Sequence, residues 1–426
     1  MRCIHKFFRF TKMSGLMMAL IVTLLSTGAG AESLSLAEAE SLAVLQDPSV
    51  ESVRSRQAAL NELEVAAGQF PDPQLKFGMM SVPTDTFDLD QEAMTQMQVG
   101  VIQRFPRGQS RELRAAQLNE RSKALGDTAQ DLLLRVRLAV RENYLEVLKQ
   151  VHLAAINADA VAAFSDLADI TQDFYATGRV QQQDVLRAAV ELARVQERSV
   201  RITEEEQQAR GRLAAWIGDD AWRDISPEWP VIHEPGALQE TKKGLTDHPR
   251  IRALHQEVIA AEKGIELAEQ NYKPEFAVDL TYGGRAGENP DGSHRADLLS
   301  LMVRMDLPLF TGNRQDRVVQ ASIANSSAAA FNRDDAYRRM SSEAEVHHAT
   351  WQRQQERLDL YEASLLPDAD FNAQATFDAY QAALEDLTTL MRARITEFDL
   401  QLEHARLKAE SFKSQARLLY LEGASS

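Results

Sequence analysis

Gln69-Phe70-Pro71-Asp72-Pro73-Gln74-Leu75 and Gln270-Asn271-Tyr272-Lys273-Pro274-Glu275-Phe276 have the same build. In each, a glutamine closes an Ala-rich helical stretch, proline stops the helix, and a strand-like segment follows. Gln69 matches Gln270 and Pro73 matches Pro274 at an offset of 201, and upstream Pro48 matches Pro249 at the same offset. Further along, Gly108 matches Gly312 at 204, and Tyr175, Leu213 and Gly218 match Tyr380, Leu418 and Gly423 at 205. Two unrelated helical arrays would not keep Pro and Gly in step over such a length. The chain is therefore an internal duplication with small loop changes.

Each repeat reads helix, two strands, long helix, turn, helix. Residues 34–68 have helical periodicity until Pro71 and Pro73 stop them. Strands are predicted at about 74–80 and 96–104 in the first repeat, and at about 276–283 and 298–307 in the second. The first pair alternates polar with apolar, the period of a strand with two unlike faces. Polar loops rich in Asp, Gly and Pro, 81–95 and 283–297, join the strands of each pair. Very long helical segments follow at about 110–173 and 313–379, and Pro367 predicts a kink or break in the second. At 1.5 Å per residue such segments reach about 95 Å, a length found in bundles, coiled coils and tubes. In the last helix Met391, Ile395, Phe398, Leu402, Ala405, Ala409, Phe412, Ala416 and Leu419 form a heptad seam. Its counterpart at 182–215 is more polar, with a weaker seam. The boundaries read 32–218 for the first repeat, 219–246 for an inter-repeat equatorial segment, and 247–426 for the second repeat. The inter-repeat segment holds Trp222, Pro227, Trp229, Pro230, Pro235 and Gly236, and is predicted to pack on the outside of the helical body.

Length and composition bound the function. A chain of 426 residues would ordinarily hold two to four domains at about 100–200 residues each. A net charge of −16 argues against nucleic-acid binding, which needs a basic patch. A single cysteine excludes a disulfide framework and a cysteine-based zinc site. Residues 1–31 read as a cleaved signal peptide: basic Arg2, Lys6, Arg9 and Lys12, the apolar run 16–25, and small residues up to Ala31. Cys3 precedes the apolar core, so it is not a lipid-attachment cysteine. Cleavage would remove four basic residues and take the charge from −16 to −20. No later segment reaches the ~18 apolar residues of a membrane helix.

Signal peptide, duplication, Pro- and Gly-flanked strand pairs and a Tyr-x-x-Gly helical turn together resemble the TolC-like outer-membrane efflux factors. The resemblance is carried best by Phe70-Pro71-Asp72-Pro73, by Gln103-Arg104-Phe105-Pro106-Arg107-Gly108, and by Tyr175-Ala176-Thr177-Gly178-Arg179-Val180 through Asp184-Val185-Leu186. It implies a mainly α fold with a small membrane β-barrel contribution. Three copies would each give four strands to one twelve-stranded barrel, with the long helices forming a periplasmic tube. It also implies an exit duct of a tripartite pump, partnered by outer-membrane lipid, a periplasmic adaptor and an inner-membrane RND-type transporter. Four strands alone cannot close a membrane barrel, since single-chain barrels start at about eight. Sharing removes edges that hydrocarbon does not tolerate.

The resemblance places the adaptor-contacting tips at Tyr175–Val180 and Tyr380–Glu385, with Thr177, Gly178, Arg179, Ala383 and Leu384 at their ends. The second tip departs from the family pattern, having Ala383 where the first has Gly178. Relatives near the namesake narrow the pore with two aspartates, but Thr389 and Arg392 stand at those positions here. Asp184, Glu385 and Asp386 are the candidate gate carboxylates instead; a solvated helix face is the alternative for each. The Pro-Asp-Pro lead-in and the Gln-x-Phe-Pro-x-Gly turn are more similar to the heavy-metal branch, CzcC-like or CusC-like, than to the drug branch. Met79, Met80, Met94 and Met97 near the first strands would suit Cu(I) if gathered, or else face lipid or fill gaps. Repeated by threefold symmetry, the acidic charge would give a strongly negative assembly and, where it faces the lumen, would favour cations. His347-His348 diverge by about 100° on a helix and make a poor metal pair. No catalytic motif and no cofactor signature is present. The rival to an exit duct is a periplasmic coiled-coil adaptor or scaffold without a barrel.

Overall fold

A computed structural model describes residues 33–423, so the signal-peptide assignment for 1–31 lies outside the described residues. The elements run α1 (Leu36–Gln46), α2 (Pro48–Ala67), β1 (Gln74–Met80), β2 (Gln96–Phe105), α3 (Ser110–Ala176) and α4 (Gln182–Ile217). After the inter-repeat segment come α5 (Leu238–Gly244), α6 (Pro249–Glu269), β3 (Phe276–Gly284), β4 (Leu298–Met305), α7 (Gln315–Leu360), α8 (Leu366–Gln381) and α9 (Leu387–Glu422). The predicted single helix over 34–68 is instead two. Pro48 forces the preceding residue towards extended backbone, and Asp47 sits at ψ 111° with its carboxylate capping α2 through Ser49 N at 2.7 Å. In the second repeat His248-Pro249 starts α6 in the same way.

The α3 helix is unbroken for 67 residues, about 100 Å. Its counterpart is interrupted. A π-helical turn, Tyr361–Leu365, separates α7 from α8 and stands directly before Pro367. Proline lacks the N–H that would bond to the carbonyl four residues back, and the wider turn absorbs the mismatch.

The helices are held by several small cores strung along their length. One gathers Leu34, Val140, Tyr144, Leu148, Leu213 and Ile217, with the Tyr144 hydroxyl donating to Leu34 O at 3.0 Å. Another joins Phe164, Leu167, Tyr380, Leu390 and Phe398 towards the turns. The α9 seam is buried at Met391, Phe398, Leu402, Ala405, Ala409, Ala416 and Leu419, and half-buried at Ile395 and Phe412. The α4 seam is narrow but regular: Ala188, Val195, Ile202 and Ala209 recur every seven residues. In the inter-repeat segment Trp229 stacks between His152 and Phe412, with centroids 4.5 and 5.5 Å away. That pins the segment against α3 and α9.

The strands form one antiparallel sheet in the order β1-β2-β3-β4, so the two hairpins lie side by side and β2 pairs with β3 across the repeats. Neither β1 nor β4 has a partner on its outer edge among the described residues.

Candidate functional site

Strand alternation separates the sheet into two unlike faces. One carries Leu75, Phe77 and Met79 of β1; Met97, Val99, Val101 and Phe105 of β2; Phe276, Val278, Leu280 and Tyr282 of β3; and Leu299, Leu301, Val303 and Met305 of β4. Gln103 alone breaks the apolar run on this face, and it bonds to Pro71 O at 3.0 Å. Phe77, Leu299 and Leu301 are at least 70% exposed, so a wide apolar surface stands uncovered on the chain. The opposite face carries Gln74, Lys76, Gln96, Gln98, Gly100, Arg104, Asp279, Thr281, Ser300 and Arg304.

This split disperses the methionines. Met79 and Met97 are direct cross-strand partners on the apolar face. Met80 lies on the polar face, where its sulfur accepts from Gln98 Nε2 at 3.1 Å. Met94 is in the loop before β2. Split between two faces of the sheet and a loop, the four do not share one strand face. Among the described residues no group of three or more His, Cys, Asp or Glu is placed to hold a metal. The polar face bears Lys76, Arg104 and Arg304 against Asp279 alone, opposite in sign to the whole-chain charge.

At the far end of the helices the two turns are near copies. In the first, Thr177 N, Gly178 N and Arg179 N donate to Asp173 O, Tyr175 O and Phe174 O; in the second, Ala382 N, Ala383 N and Leu384 N donate to Asp378 O, Tyr380 O and Ala379 O. Gly178 has φ 71° and Ala383 φ 60°. The missing glycine therefore does not change the second turn. Alanine adopts the left-handed conformation there, at a cost of about 1–2 kcal/mol. The turns lie together, with Phe174 against Tyr380 at 5.7 Å and Arg187 Nη1 donating to Thr388 Oγ1 at 2.5 Å. Arg198 and Asp399 add a second link at 3.3 Å. Leu384 is 79% exposed, and Thr177, Gly178, Arg179 and Ala383 are exposed with it.

The three candidate gate carboxylates differ in what they touch. Asp184 closes a capping box at the start of α4, accepting Gln181 N at 3.1 Å. Asp386 caps α9, accepting Thr389 N at 2.8 Å, and that backbone bond holds its carboxyl below the usual range. Glu385 is exposed and has no hydrogen bond or ion pair among the described residues. Thr389 and Arg392 are exposed on the first turns of α9. Arg187, Thr388, Arg198 and Asp399 were not legible as site residues. Each cross-link joins positions 201 apart in sequence, on helices of different repeats, so nothing local marks them.

A partly buried ionic cluster braces α3 against α9. Lys413 Nζ lies 2.6 Å from Glu146 and 2.8 Å from Glu410, and Lys149 lies 2.7 Å from Glu146. Burial would raise the Glu146 pKa, but the bonds from Lys149 and Lys413 prevail and hold it at about 2.

Residues 242–424, most of the second repeat, match the family model of outer membrane efflux proteins. No curated protein matches the chain by sequence. Among solved structures the outer-membrane channel OprN is similar at 18% identity, TM-score 0.78, over 92% of this chain and 90% of that one. VceC from Vibrio cholerae is similar at 17% identity, TM-score 0.77, over 91% and 96%. CusC is similar at 12% identity, TM-score 0.78, over 92% and 93%. The second repeat thus matches the outer membrane efflux proteins, and the chain shares the fold of solved outer-membrane channels along its described length.

Proposed function

We propose that the protein is the outer-membrane exit duct of a tripartite efflux pump. One observation carries this reading: a four-stranded sheet with an uncovered apolar face and two open edges, standing at the end of helices about 100 Å long. An apolar face of that kind suits lipid, and open edges in lipid require further strands. Three copies supply twelve strands and close a barrel whose polar face lines the pore. The helices then extend the pore into the periplasm. The chain reaches the outer membrane through a cleaved signal peptide over 1–31 and is not lipidated.

The tips dock a periplasmic adaptor through Thr177, Gly178, Arg179, Ala383 and Leu384, and the adaptor connects the duct to an inner-membrane RND-type transporter. Glu385 is the gate carboxylate best freed for that role, because Asp184 and Asp386 are already engaged in capping their helices. The duct needs no cofactor and performs no catalysis.

Cell fractionation tests the reading. The expected result is a band in outer-membrane fractions that runs as a trimer in SDS and becomes a monomer only on heating. A soluble periplasmic species released without detergent would overturn it and would suit a coiled-coil scaffold.

A further inference from the structure

We propose that the base of the barrel is an anion-favouring zone, set by Arg104 and Arg304, and that the duct passes anionic solutes more readily than free metal cations. The proposal rests on the exit-duct reading, which makes the polar face the pore wall.

The charges on that face are confined to its helix-proximal end. In register, Arg104 of β2 and Arg304 of β4 flank Ala277 of β3. One row further in, Asp279 lies between Ile102 and Met302. The next row holds Lys76, Gly100, Thr281 and Ser300, and beyond it the face carries only uncharged residues, among them Gln96 and Gln98.

Asp279 is committed to Lys76. Its Oδ2 accepts from Lys76 Nζ at 2.6 Å and its Oδ1 from Thr281 Oγ1 at 2.7 Å, and its side chain is 6% exposed. The two residues sit on strands that are not neighbours, β1 and β3, so the lysine must cross β2. It crosses at Gly100, where a Cβ would stand 2.7 Å from Lys76 Cε and 2.6 Å from Thr281 Oγ1. The glycine is therefore required for the pair. Arg304 reaches the same carboxylate only at 3.7 Å and is 67% exposed. Arg104 is exposed, with no ion pair among the described residues. One carboxylate thus neutralises one lysine and leaves two guanidiniums facing water. Threefold repetition makes a positive ring. A wall of one sign with a low-dielectric surround concentrates the opposite ion. This ring reverses, at the barrel, the acidic character of a chain with net charge −16.

Cysteine modification measures the local potential without requiring the periplasmic end to open. Met302, opposite Asp279 and two residues from Arg304, is replaced by Cys in a Cys3→Ser background, which leaves one thiol in the chain. Two residues of strand span about 7 Å, within the ~8 Å Debye length of physiological salt. Intact cells are treated with an anionic sulfonatoethyl or a cationic trimethylammonioethyl methanethiosulfonate. The anionic reagent is expected to react faster. Its preference should fall about threefold or more when Arg104→Gln and Arg304→Gln are added, for unit charges screened at this distance. It should persist with Lys at both positions and rise with Asp279→Asn. A rate ratio unmoved by removing both arginines overturns the proposal. So does a Met302→Cys thiol that neither reagent reaches. Leu301→Cys, on the apolar face, should resist both reagents. If it reacts as fast as Met302→Cys, the barrel reading itself fails.

Discussion

The two repeats reach the same turn by different means. In the first, α3 runs 67 residues without interruption and turns on Gly178. In the second, the helix gives way to a π turn before Pro367 and then turns on Ala383, with the same hydrogen bonds and nearly the same φ. The caps share only the sign of φ: Gly218 closes α4 at φ 62° and ψ −138°, whereas Gly423 closes α9 in the left-handed helical conformation at φ 71° and ψ 16°. The start of the second strand-to-helix connection does not match the first. Gly108 has φ 45° and is crowded by Lys273, whereas Gly312 lies in open space without a positive φ. Duplication has kept the backbone geometry and hydrogen bonds of the helical turns and let the start of the strand-to-helix connection drift. The difference leaves the second arm as the one with stored strain and a broken helix.

Three experiments would break or sharpen that contrast. The largest effect belongs to Ala162→Pro, the α3 position that answers to Pro367 at the 205 offset. Ala162 is exposed, so the change acts through the backbone alone, and it should cost about 3 kcal/mol or more. Denaturant unfolding in detergent would measure it against Pro367→Ala, which should shift stability by much less. Equal tolerance would mean that α3 is no more continuous than α7 and α8.

Next come the turns. Gly178→Ala should destabilise and Ala383→Gly should stabilise, each by about 1 kcal/mol, because the left-handed conformation penalises a Cβ. Thermal melts followed by circular dichroism would show the two variants moving in opposite directions. Movement in the same direction would refute the shared geometry.

The smallest effect concerns the caps at the start of α2 and α6. Asp47 uses a carboxylate, whereas His248 uses a buried ring. Its Nδ1 accepts from Arg250 N at 3.2 Å and its Nε2–H donates to Tyr420 O at 2.9 Å, an arrangement that only the neutral ring can satisfy. Burial lowers the His248 pKa below 6.5; Asp131 opposes the shift, and Arg250 and Arg252 reinforce it. The unfolded chain therefore binds the proton first. The contribution is full above pH 6.5 and is lost as pH falls from there towards the lowered value. His248→Asn should cost about 1 kcal/mol or less at pH 8 and flatten part of the decline in stability below pH 6.5. His152 and His347 are shifted in the same direction and would keep the rest of the slope. An unchanged acid-side slope would show that His248 is not a source of it.

Most of the architecture was legible in the sequence because its signals are local. Proline before a helix, glycine after one, period two in the strands and period seven in α9 each report on a few adjacent residues. The break at Asp47 is legible too, in Pro48, although helical periodicity continues on both sides of it. Ala383 misled for a different reason. Propensity predicts what a residue prefers, while Tyr380 and Phe174 packed beneath the turn decide what it adopts. The tip residues could be named from their resemblance, but their ties, Arg187 to Thr388 and Arg198 to Asp399, join helices from different repeats.

By itself the sequence determined the duplication, the four strands, the long helices and the outward apolar rows, since periodicity and punctuation are properties of the chain. Only the tertiary structure decided which charges meet. Lys76 finds Asp279 by crossing a glycine on an intervening strand, and two arginines are left over on the same face. Whole-chain charge said acidic, and the polar face of the sheet is basic. Composition sums over every residue, whereas a pore responds only to the few side chains that the fold turns towards it.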